Sequence, residues 1–236
     1  MNSKKILAIV TARGGSKGLP GKNIKEICGK PLIGWTLESA KKCEYFSKIY
    51  VSTDNKEIAN VCASFGVEVS EFRPDYLAQD NTPSSDVVSY TLDVLAAQNE
   101  VYDYITLLEP TSPLRKSDDL KNAIELALNH DDRDGVVSLG EVHLEHPDIV
   151  KCVRNGRICS YIKKSEKVTQ RQQLDKAYFP YGVIYLVKTS VFKQRKVFYD
   201  ENSLPYFIER WQTYEIDDIY DFWCVEAILK NRRALL

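Results

Sequence analysis

A glycine-rich, basic stretch directly after an apolar segment constrains this chain more than any other feature. Residues 6–10 (ILAIV) predict a buried parallel strand. The residues after it include four glycines and three cations: Gly14, Gly15, Gly18, Gly21, Arg13, Lys17 and Lys22. Glycines let the backbone turn its N–H groups inward to form an anion-binding nest. A solvated basic loop is the alternative, but the buried strand favours a site for a ligand with several negative charges, such as a nucleoside triphosphate.

Two general phosphate-binding motifs do not fit this stretch. The P-loop pattern G-x-x-x-x-G-K-[ST] aligns best with residues 16–23, where Ser16 replaces the first glycine and Asn23 replaces the hydroxyl residue. The dinucleotide pattern G-x-G-x-x-G also fails. The stretch therefore predicts phosphate binding without defining the class of protein.

Composition limits the remaining classes. At 236 residues and 44% apolar content, the chain can form one domain or at most two. Its 32 basic and 33 acidic residues argue against a nucleic-acid partner. No apolar run approaches the roughly 18 residues that cross a bilayer, and MNSKK leads straight into the first strand, so we expect neither a membrane segment nor a signal peptide. Six cysteines without a C-x-x-C pair predict reduced thiols and a cytoplasmic protein.

Hydrophobic periodicity predicts alternating strands and helices. The predicted helices are residues 31–43, 55–65, 86–98 (with Ser84 or Ser85 as N-cap), 118–129 and 220–230, and the predicted strands are 6–10, 49–52, 67–69, 104–108, 135–139, 181–187 and 215–218. This order predicts a single α/β domain over residues 1–236, with a Rossmann-like, mostly parallel sheet and helices on both faces. Because ligands bind beyond the carboxyl ends of such strands, we expect residues 11–23, Asp54 and residues 109–115 on one rim.

The pattern changes over residues 140–172. Short alternating segments replace the helix–strand rhythm, and Asn155-Gly156 predicts a tight hairpin turn. This β-rich insertion carries six apolar side chains: Ile149, Val150, Val153, Ile158, Tyr161 and Ile162. A small solvated flap would not need them, so they predict a partner surface and a twofold homodimer.

Three further groups of polar residues are candidates for chemistry. If residues 215–217 form a strand, Glu215 and Asp217 share one face and suit Mg²⁺ beside phosphates, although ordinary strand-end acids have the same spacing. His143 and His146 flank Glu145, but zinc proteases need H-E-x-x-H on a helix, so a structural role is favoured. Arg171 is either a surface charge or lies over the rim.

Six motifs in order along the chain resemble those of one family. They read ARGGSKGLPGKN, VSTD, FRP with LAQD, LLEPTSPLR, RQQL and EID. Together they resemble the CMP-N-acylneuraminate synthetases, or acylneuraminate cytidylyltransferases, of the CMP-sialic acid, CMP-legionaminic acid and CMP-Kdo type. The resemblance implies that the anomeric hydroxyl of a nine-carbon 2-keto acid attacks the α-phosphate of CTP, with Mg²⁺ as cofactor. It also implies a homodimer formed through residues 140–179.

The resemblance assigns roles to individual residues. It implies a nucleotide site made of Ala12, Arg13, Gly14, Gly15, Lys22, Asn23, Arg73 and Ser85. It implies acceptor contacts from Glu109, Pro110, Thr111, Arg171, Phe179 and Tyr181. Glu215 and Asp217 would bind the metal, and Arg13, Lys22 and Asp217 would be catalytic.

Some positions depart from the sialate pattern. Glu109 stands where the bacterial sialate enzymes have Gln, and Glu215 where they have Asp. Phe179 and Tyr181 occupy a segment that reads Arg-x-Asn in those enzymes. The replacement of hydrogen-bond donors by aromatic rings favours a more deoxygenated, N-acylated sugar acid of the legionaminic type as the substrate. A nucleotidylyltransferase acting on a sugar 1-phosphate and a non-catalytic nucleotide-binding module remain alternatives.

Overall fold

A six-stranded sheet forms the centre of the computed structural model, which describes residues 4–162 and 174–231. The strands are β1 (Ile6–Thr11), β2 (Glu26–Ile27), β3 (Lys30–Pro31), β4 (Phe46–Ser52), β5 (Tyr104–Leu108), β6 (Gly135–Glu141), β7 (Lys151–Arg154), β8 (Arg157–Ser160), β9 (Tyr178–Lys188) and β10 (Ser203–Phe207). The helices are α1 (Leu32–Lys42), α2 (Lys56–Ser64), α3 (Ser84–Ala97), α4 (Asp119–Leu128), α5 (Thr189–Arg195) and α6 (Ile219–Asn231).

The strand order in the sheet is β10-β6-β9-β5-β1-β4. Strands β4, β1 and β5 run parallel, as do β6 and β10, whereas β9 is antiparallel to both β5 and β6. The prediction of a Rossmann-like, mostly parallel α/β sheet is confirmed. The carboxyl ends of β1, β4 and β5 meet at one edge, because parallel strands end on the same side.

Strand β1 is buried on both faces. Ile6, Ala8 and Val10 pack with α1, α2 and α4, while Leu7 and Ile9 pack with α3 and α5 on the other face. All five are at most 1% exposed. Burying each of the larger side chains stabilises the fold by about 1.5–3 kcal/mol. The continuous apolar run thus produces a central strand covered by helices on both faces.

A third apolar cluster fixes the segment that follows β1. Leu19 and Ile27 from that segment pack with Leu114, Ile216 and the inner face of α6. The glycine-rich loop therefore lies against the chain that leads into the last helix, although the two are almost 200 residues apart in sequence.

Three local predictions are wrong. Residues 67–69 form no strand, because the Val67 N–H bonds the Cys62 carbonyl and ends α2 together with Gly66, which has a φ of +72°. Ser84 and Ser85 lie inside α3, which begins after Pro83, and neither is the N-cap. Residues 215–217 are also not a strand; the Ile216 N–H bonds the Thr111 carbonyl and the chain then bends.

The insertion contains the predicted hairpin. Strands β7 and β8 are antiparallel and joined by Asn155 and Gly156, with φ of 51° and 71°, the backbone that an Asn-Gly turn favours. Val153 and Ile158 are 73% and 78% exposed. Arg171 lies outside the described residues. Within the described ranges, no helix is long and apolar enough to cross a bilayer.

Candidate active site

A cleft of about 470 Å³ opens where β1, β4 and β5 end. It is lined by Thr11, Arg13, Ser16, Lys17, Gly18, Lys22, Asn23, Arg73, Leu77, Gln79, Asp80, Thr82, Ser84, Val87, Glu109, Pro110, Thr111 and Asp217. The rim predicted from the strand ends therefore forms one wall of a real cavity. Eight of the site residues that the family resemblance assigned lie on it: Arg13, Lys22, Asn23, Arg73, Glu109, Pro110, Thr111 and Asp217.

Contacts from distant segments hold the glycine-rich loop in place. The Gly14 N–H donates to Asp54 Oδ1 over 2.9 Å. The buried Asn23 side chain donates to the Arg13 carbonyl over 3.0 Å. A Cβ on Gly18 would collide with the backbone carbonyl of Asp217. Position 18 must therefore be a glycine, because the two chain segments approach each other closely there. Ala12, Gly14 and Gly15 belong to this loop but do not line the cleft.

Lys22 connects the loop to the chain before α6. Its Nζ donates to the Ile216 carbonyl over 2.8 Å and lies 3.1 Å from Asp217 Oδ1. The Lys22 side chain is 15% exposed, whereas that of Asp217 is 89% exposed. The carboxylate therefore projects into the open cleft beside a partly buried cation.

Arg13 and Lys17 share a single carboxylate on the opposite wall. Arg13 Nη1 lies 2.8 Å from Asp80 Oδ1, and Lys17 Nζ pairs with Asp80 Oδ2. Lys17 and then Arg13 lower the pKa of the Asp80 carboxyl by hydrogen bonding and charge. Asp80 is therefore ionised at neutral pH, and both cations are occupied by it.

Arg73 and the start of α3 form the remaining polar wall. The buried Arg73 guanidinium donates to the Ser52 carbonyl over 2.6 Å and to Ser52 Oγ over 3.1 Å. Burial lowers the pKa of this group. Ser84, the first residue of α3, lines the cleft, whereas Ser85 does not. The positive end of the helix dipole thus faces the cavity.

Two acidic side chains lie at and beneath the cleft floor. Burial, and next the charge of Glu215, raise the pKa of Glu109 to about 7. Burial also raises the pKa of Glu215, and hydrogen bonds from Ser112 Oγ and the Gly182 N–H to its Oε1, both 2.5 Å, oppose that shift. Glu215 does not line the cleft.

The predicted pairing of Glu215 with Asp217 on one strand face is wrong. The bend after Ile216 turns Asp217 outward into the cleft and leaves Glu215 half-buried beneath the floor. Among the described residues, no three His, Cys, Asp or Glu side chains are grouped to hold a metal ion. His146 is buried, with Nε2 2.9 Å from the Asp175 carbonyl, which agrees with a structural role.

The two aromatic acceptor candidates lie apart from the cleft lining. Phe179 and Tyr181 are on β9, with ring centroids 5.1 Å apart. Phe179 is 52% exposed, and the Tyr181 ring packs where a Cβ on Gly140 would be. They are connected to the site through Gly182, whose backbone lies against the carboxylate of Glu109.

Sequence reasoning did not assign Asp80, Arg115 or Ser112 a role. Asp80 lies inside the LAQD motif and Arg115 inside the LLEPTSPLR motif, and these motifs were the sequence features that could have identified them as site residues. Their partners could not be read locally, because Asp80 pairs with cations more than sixty residues away and Arg115 with carbonyls of β9.

The chain belongs to the cytidylyltransferase family, whose sequence profile matches residues 7–226. It is 32% identical over 220 residues to the N-acylneuraminate cytidylyltransferase of Streptococcus agalactiae serotype III (strain NEM316), an alignment that covers 92% of this chain and 52% of that relative. It is 30% identical over 237 residues to the CMP-N,N'-diacetyllegionaminic acid synthase of Legionella pneumophila subsp. pneumophila, covering 98% of this chain and 100% of that protein. The chain thus spans about half the length of the streptococcal relative and the whole of the other.

A solved structure shares the fold. CMP:2-keto-3-deoxy-manno-octonic acid synthetase complexed with CTP superimposes with a TM-score of 0.71 over 97% of this chain and 99% of the other, at 18% identity. The predicted family resemblance is confirmed by the family profile and the curated relatives.

Proposed function

We propose that this protein transfers CMP from CTP to the anomeric hydroxyl of a nine-carbon 2-keto sugar acid and releases pyrophosphate. The observation that carries the proposal is the cleft at the ends of β1 and β5, where Arg13, Lys17 and Lys22 converge from one loop in a cytidylyltransferase chain. Three cations on a single loop suit a triphosphate. Both curated relatives described above are named for CMP-sugar acid synthesis, which supports the acceptor class.

In this proposal the two ends of CTP occupy opposite walls of the cleft. The phosphates lie between Arg13, Lys17 and Lys22. The cytidine lies towards Arg73 and the start of α3, where Ser84 lines the cavity and Ser85 is the next residue. The acceptor enters beside Glu109, Pro110 and Thr111, and the predicted contact from Arg171 remains a prediction.

The reaction needs alignment and charge neutralisation more than covalent help from the protein. The acceptor oxygen forms a bond to the α-phosphorus, the bond to the bridging α–β oxygen breaks, and pyrophosphate leaves with that electron pair. The hydroxyl proton passes to solvent water. Lys22 is well placed to stabilise charge on the phosphates, because its Nζ is already fixed at the cleft by the Ile216 carbonyl.

Mg²⁺ fits the exposed carboxylate at this site. Mg²⁺ takes one or two protein carboxylates and completes its octahedron with phosphate oxygens and water. Asp217 offers an exposed carboxylate on the cleft. Asp217 is therefore the proposed protein ligand, and the bound ion would neutralise phosphate charge. Glu215, the second ligand predicted from the sequence, lies outside the cleft lining, with its Oε1 held by Ser112 Oγ and the Gly182 N–H.

The experiment is an assay of pyrophosphate release. CTP with a nonulosonic acid should release pyrophosphate, and CTP alone should not. Release from any NTP with a hexose 1-phosphate would favour the sugar 1-phosphate alternative. Nucleotide binding without release of pyrophosphate with any acid would favour a non-catalytic module.

We also propose the cytoplasm as the compartment, because all six cysteines are free and free thiols persist in reducing surroundings.

We expect N,N′-diacyl dideoxy acids to exceed N-acetylneuraminic acid in kcat/KM. Phe179 and Tyr181 offer apolar contact but no donors equivalent to Arg and Asn. A substrate hydroxyl left unpaired in a desolvated site costs about 1–3 kcal/mol, roughly tenfold to a hundredfold in discrimination. The measurement compares both acids with CTP. A preference for N-acetylneuraminic acid would contradict the prediction and remove the two rings from the acceptor site.

A ring-deletion variant localises this preference. Phe179→Ala should reduce it, whereas Phe207→Ala should not. Phe207 is a matched control, because it is 59% exposed and also packs on a tyrosine ring. Equal effects of the two variants would mean that Phe179 contributes only to the surface around it.

We expect a homodimer formed through the insertion. Val153, Ile158 and Tyr161 are each at least 66% exposed, and contiguous exposed apolar side chains mark interfaces. Light scattering should give twice the 27.0 kDa of one chain. Ile158→Glu should give a folded monomer. Val101→Glu should remain dimeric, since Val101 is 65% exposed but outside the insertion. A wild-type monomer at micromolar concentration would contradict the prediction.

A further inference from the structure

Two of the three loop cations are paired with a carboxylate of the same chain. Asp80 Oδ1 lies 2.8 Å from Arg13 Nη1, and Asp80 Oδ2 contacts Lys17 Nζ. The side chains of Asp80 and Arg13 are 40% and 28% exposed, and that of Lys17 is 80% exposed. This arrangement lies at the cleft mouth, and Asp80 lines the cavity with both cations.

The segment that carries Asp80 is held mainly by its own local contacts. Gln79 Nε2 donates to the Asp75 carbonyl over 2.8 Å, and the Thr82 N–H donates to the Gln79 carbonyl over 3.2 Å. Among the described residues, the polar contacts that join residues 75–82 to residues 12–23 are the two ion pairs of Asp80. The link between the two walls can therefore break without disrupting either wall.

The charge of a ligand decides whether that ligand can break the link between the two walls. The carboxylate is ionised at neutral pH, because Lys17 and Arg13 lower its pKa. A ligand must outcompete it for both cations at once. A monophosphate brings one anionic group, whereas pyrophosphate or a triphosphate brings several adjacent ones that can span both cations.

We propose that Asp80 is a positioning residue that acts as an internal competitor for phosphate. It holds Arg13 and Lys17 in the empty site, is displaced by ligands with two or more phosphates, and reclaims the cations as pyrophosphate leaves. This inference rests on the proposed function for its physiological ligand. Competition from Asp80 gives the site a selectivity for polyphosphates that the cations alone would not provide.

The test is calorimetric binding of four probes to Asp80→Asn and to the wild type: cytidine, CMP, CTP and inorganic pyrophosphate. The variant keeps the shape of the side chain but loses the charge. CTP and pyrophosphate should bind roughly three- to tenfold more tightly, the range that exposed ion pairs support. CMP should gain less and cytidine nothing. The gain should shrink at high salt.

Asp75→Asn is the matched control. Asp75 lies on the same segment, and its carboxylate makes no ion pair with a described residue. The affinities of Asp75→Asn for the four probes should therefore equal those of the wild type. Unchanged or weaker pyrophosphate binding to Asp80→Asn would overturn the proposal. A parallel change for cytidine would also overturn it, because that would indicate a general effect on loop structure. A gain for CMP equal to that for CTP would overturn the selectivity for polyphosphates.

The pyrophosphate arm separates this inference from the proposed function. If the wild type binds pyrophosphate but not CTP, the cytidylyl proposal fails, and the effect of Asp80 can still be read from pyrophosphate. If the wild type binds CTP and Asp80→Asn is unchanged, the competitor role fails and the proposed function stands.

Discussion

Asp217→Asn is expected to reduce turnover with CTP and the sugar acid by roughly a hundredfold or more, without unfolding the protein. A metal ion that neutralises phosphate charge is worth several kcal/mol in the transition state, and each 1.36 kcal/mol is tenfold in rate. A neutral amide is a poor ligand for Mg²⁺. The fold should be unaffected, because the Asp217 side chain is 89% exposed and its ion pair is with Lys22 alone among the described residues. Initial rates over a range of Mg²⁺ concentrations, with urea unfolding in parallel, measure both quantities.

Asp218→Asn is the control for this substitution. Asp218 Oδ1 accepts hydrogen bonds from the N–H groups of Tyr220 and Asp221, at 2.8 and 3.0 Å, and so caps α6. Asparagine caps helices about as well as aspartate. The adjacent loss of charge should therefore leave both turnover and stability near those of the wild type. Near-wild-type turnover of Asp217→Asn in saturating Mg²⁺ would remove Asp217 from the metal site.

The parts of the site that lie on one short segment could be predicted from the sequence. The apolar run of β1 and the glycines and cations after it are local features, and local features determine a buried strand and a loop at its end. Lys22 and Asn23 follow from the same stretch. The common edge formed by β1, β4 and β5 followed from the alternation of helices and strands, because such alternation produces parallel strands.

The parts that depend on long-range packing could not be predicted. Glu215 and Asp217 have strand spacing, but Ile216 is drawn into the third apolar cluster and the chain bends after it. The two carboxylates therefore differ in burial although they are two residues apart. Likewise, no local pattern shows that Asp80 meets Arg13, since this contact depends on how residues 75–82 cross the cleft mouth.

Strand β9 is the second feature that local sequence leaves undefined. Its apolar run was predicted as a strand, but not its antiparallel position between β5 and β6. That position brings Gly182 beside Glu109 and Glu215, so β9 packs behind the floor of the cleft without lining it. The approach is so close that a Cβ on Gly182 would collide with the Glu109 carboxylate. The residue before it, Tyr181, lies outside the cleft lining.

Arg115 is the residue that holds this floor together. Its guanidinium is buried and donates to the carbonyls of Val183, Glu109 and Gly182 over 2.6–2.8 Å, and to Thr36 Oγ1 over 2.8 Å. It therefore joins β9 to the end of β5 and to α1. Its charge also opposes the raised pKa of Glu109 and of Glu215.

Arg115→Met is expected to lower the free energy of unfolding by about 3–5 kcal/mol, the cost of removing one partner from a buried charged group. Methionine fills much of the volume, but it leaves several carbonyls without a donor, and the half-buried carboxyls of Glu109 and Glu215 without their cation. Urea unfolding measures the change. Lys121→Met is the matched control, because the Lys121–Glu125 pair is 3.9 Å long with side chains 50% and 41% exposed, and such pairs contribute little. A loss below about 1 kcal/mol for Arg115→Met would mean that water replaces the guanidinium, and that the floor of the cleft does not depend on this residue.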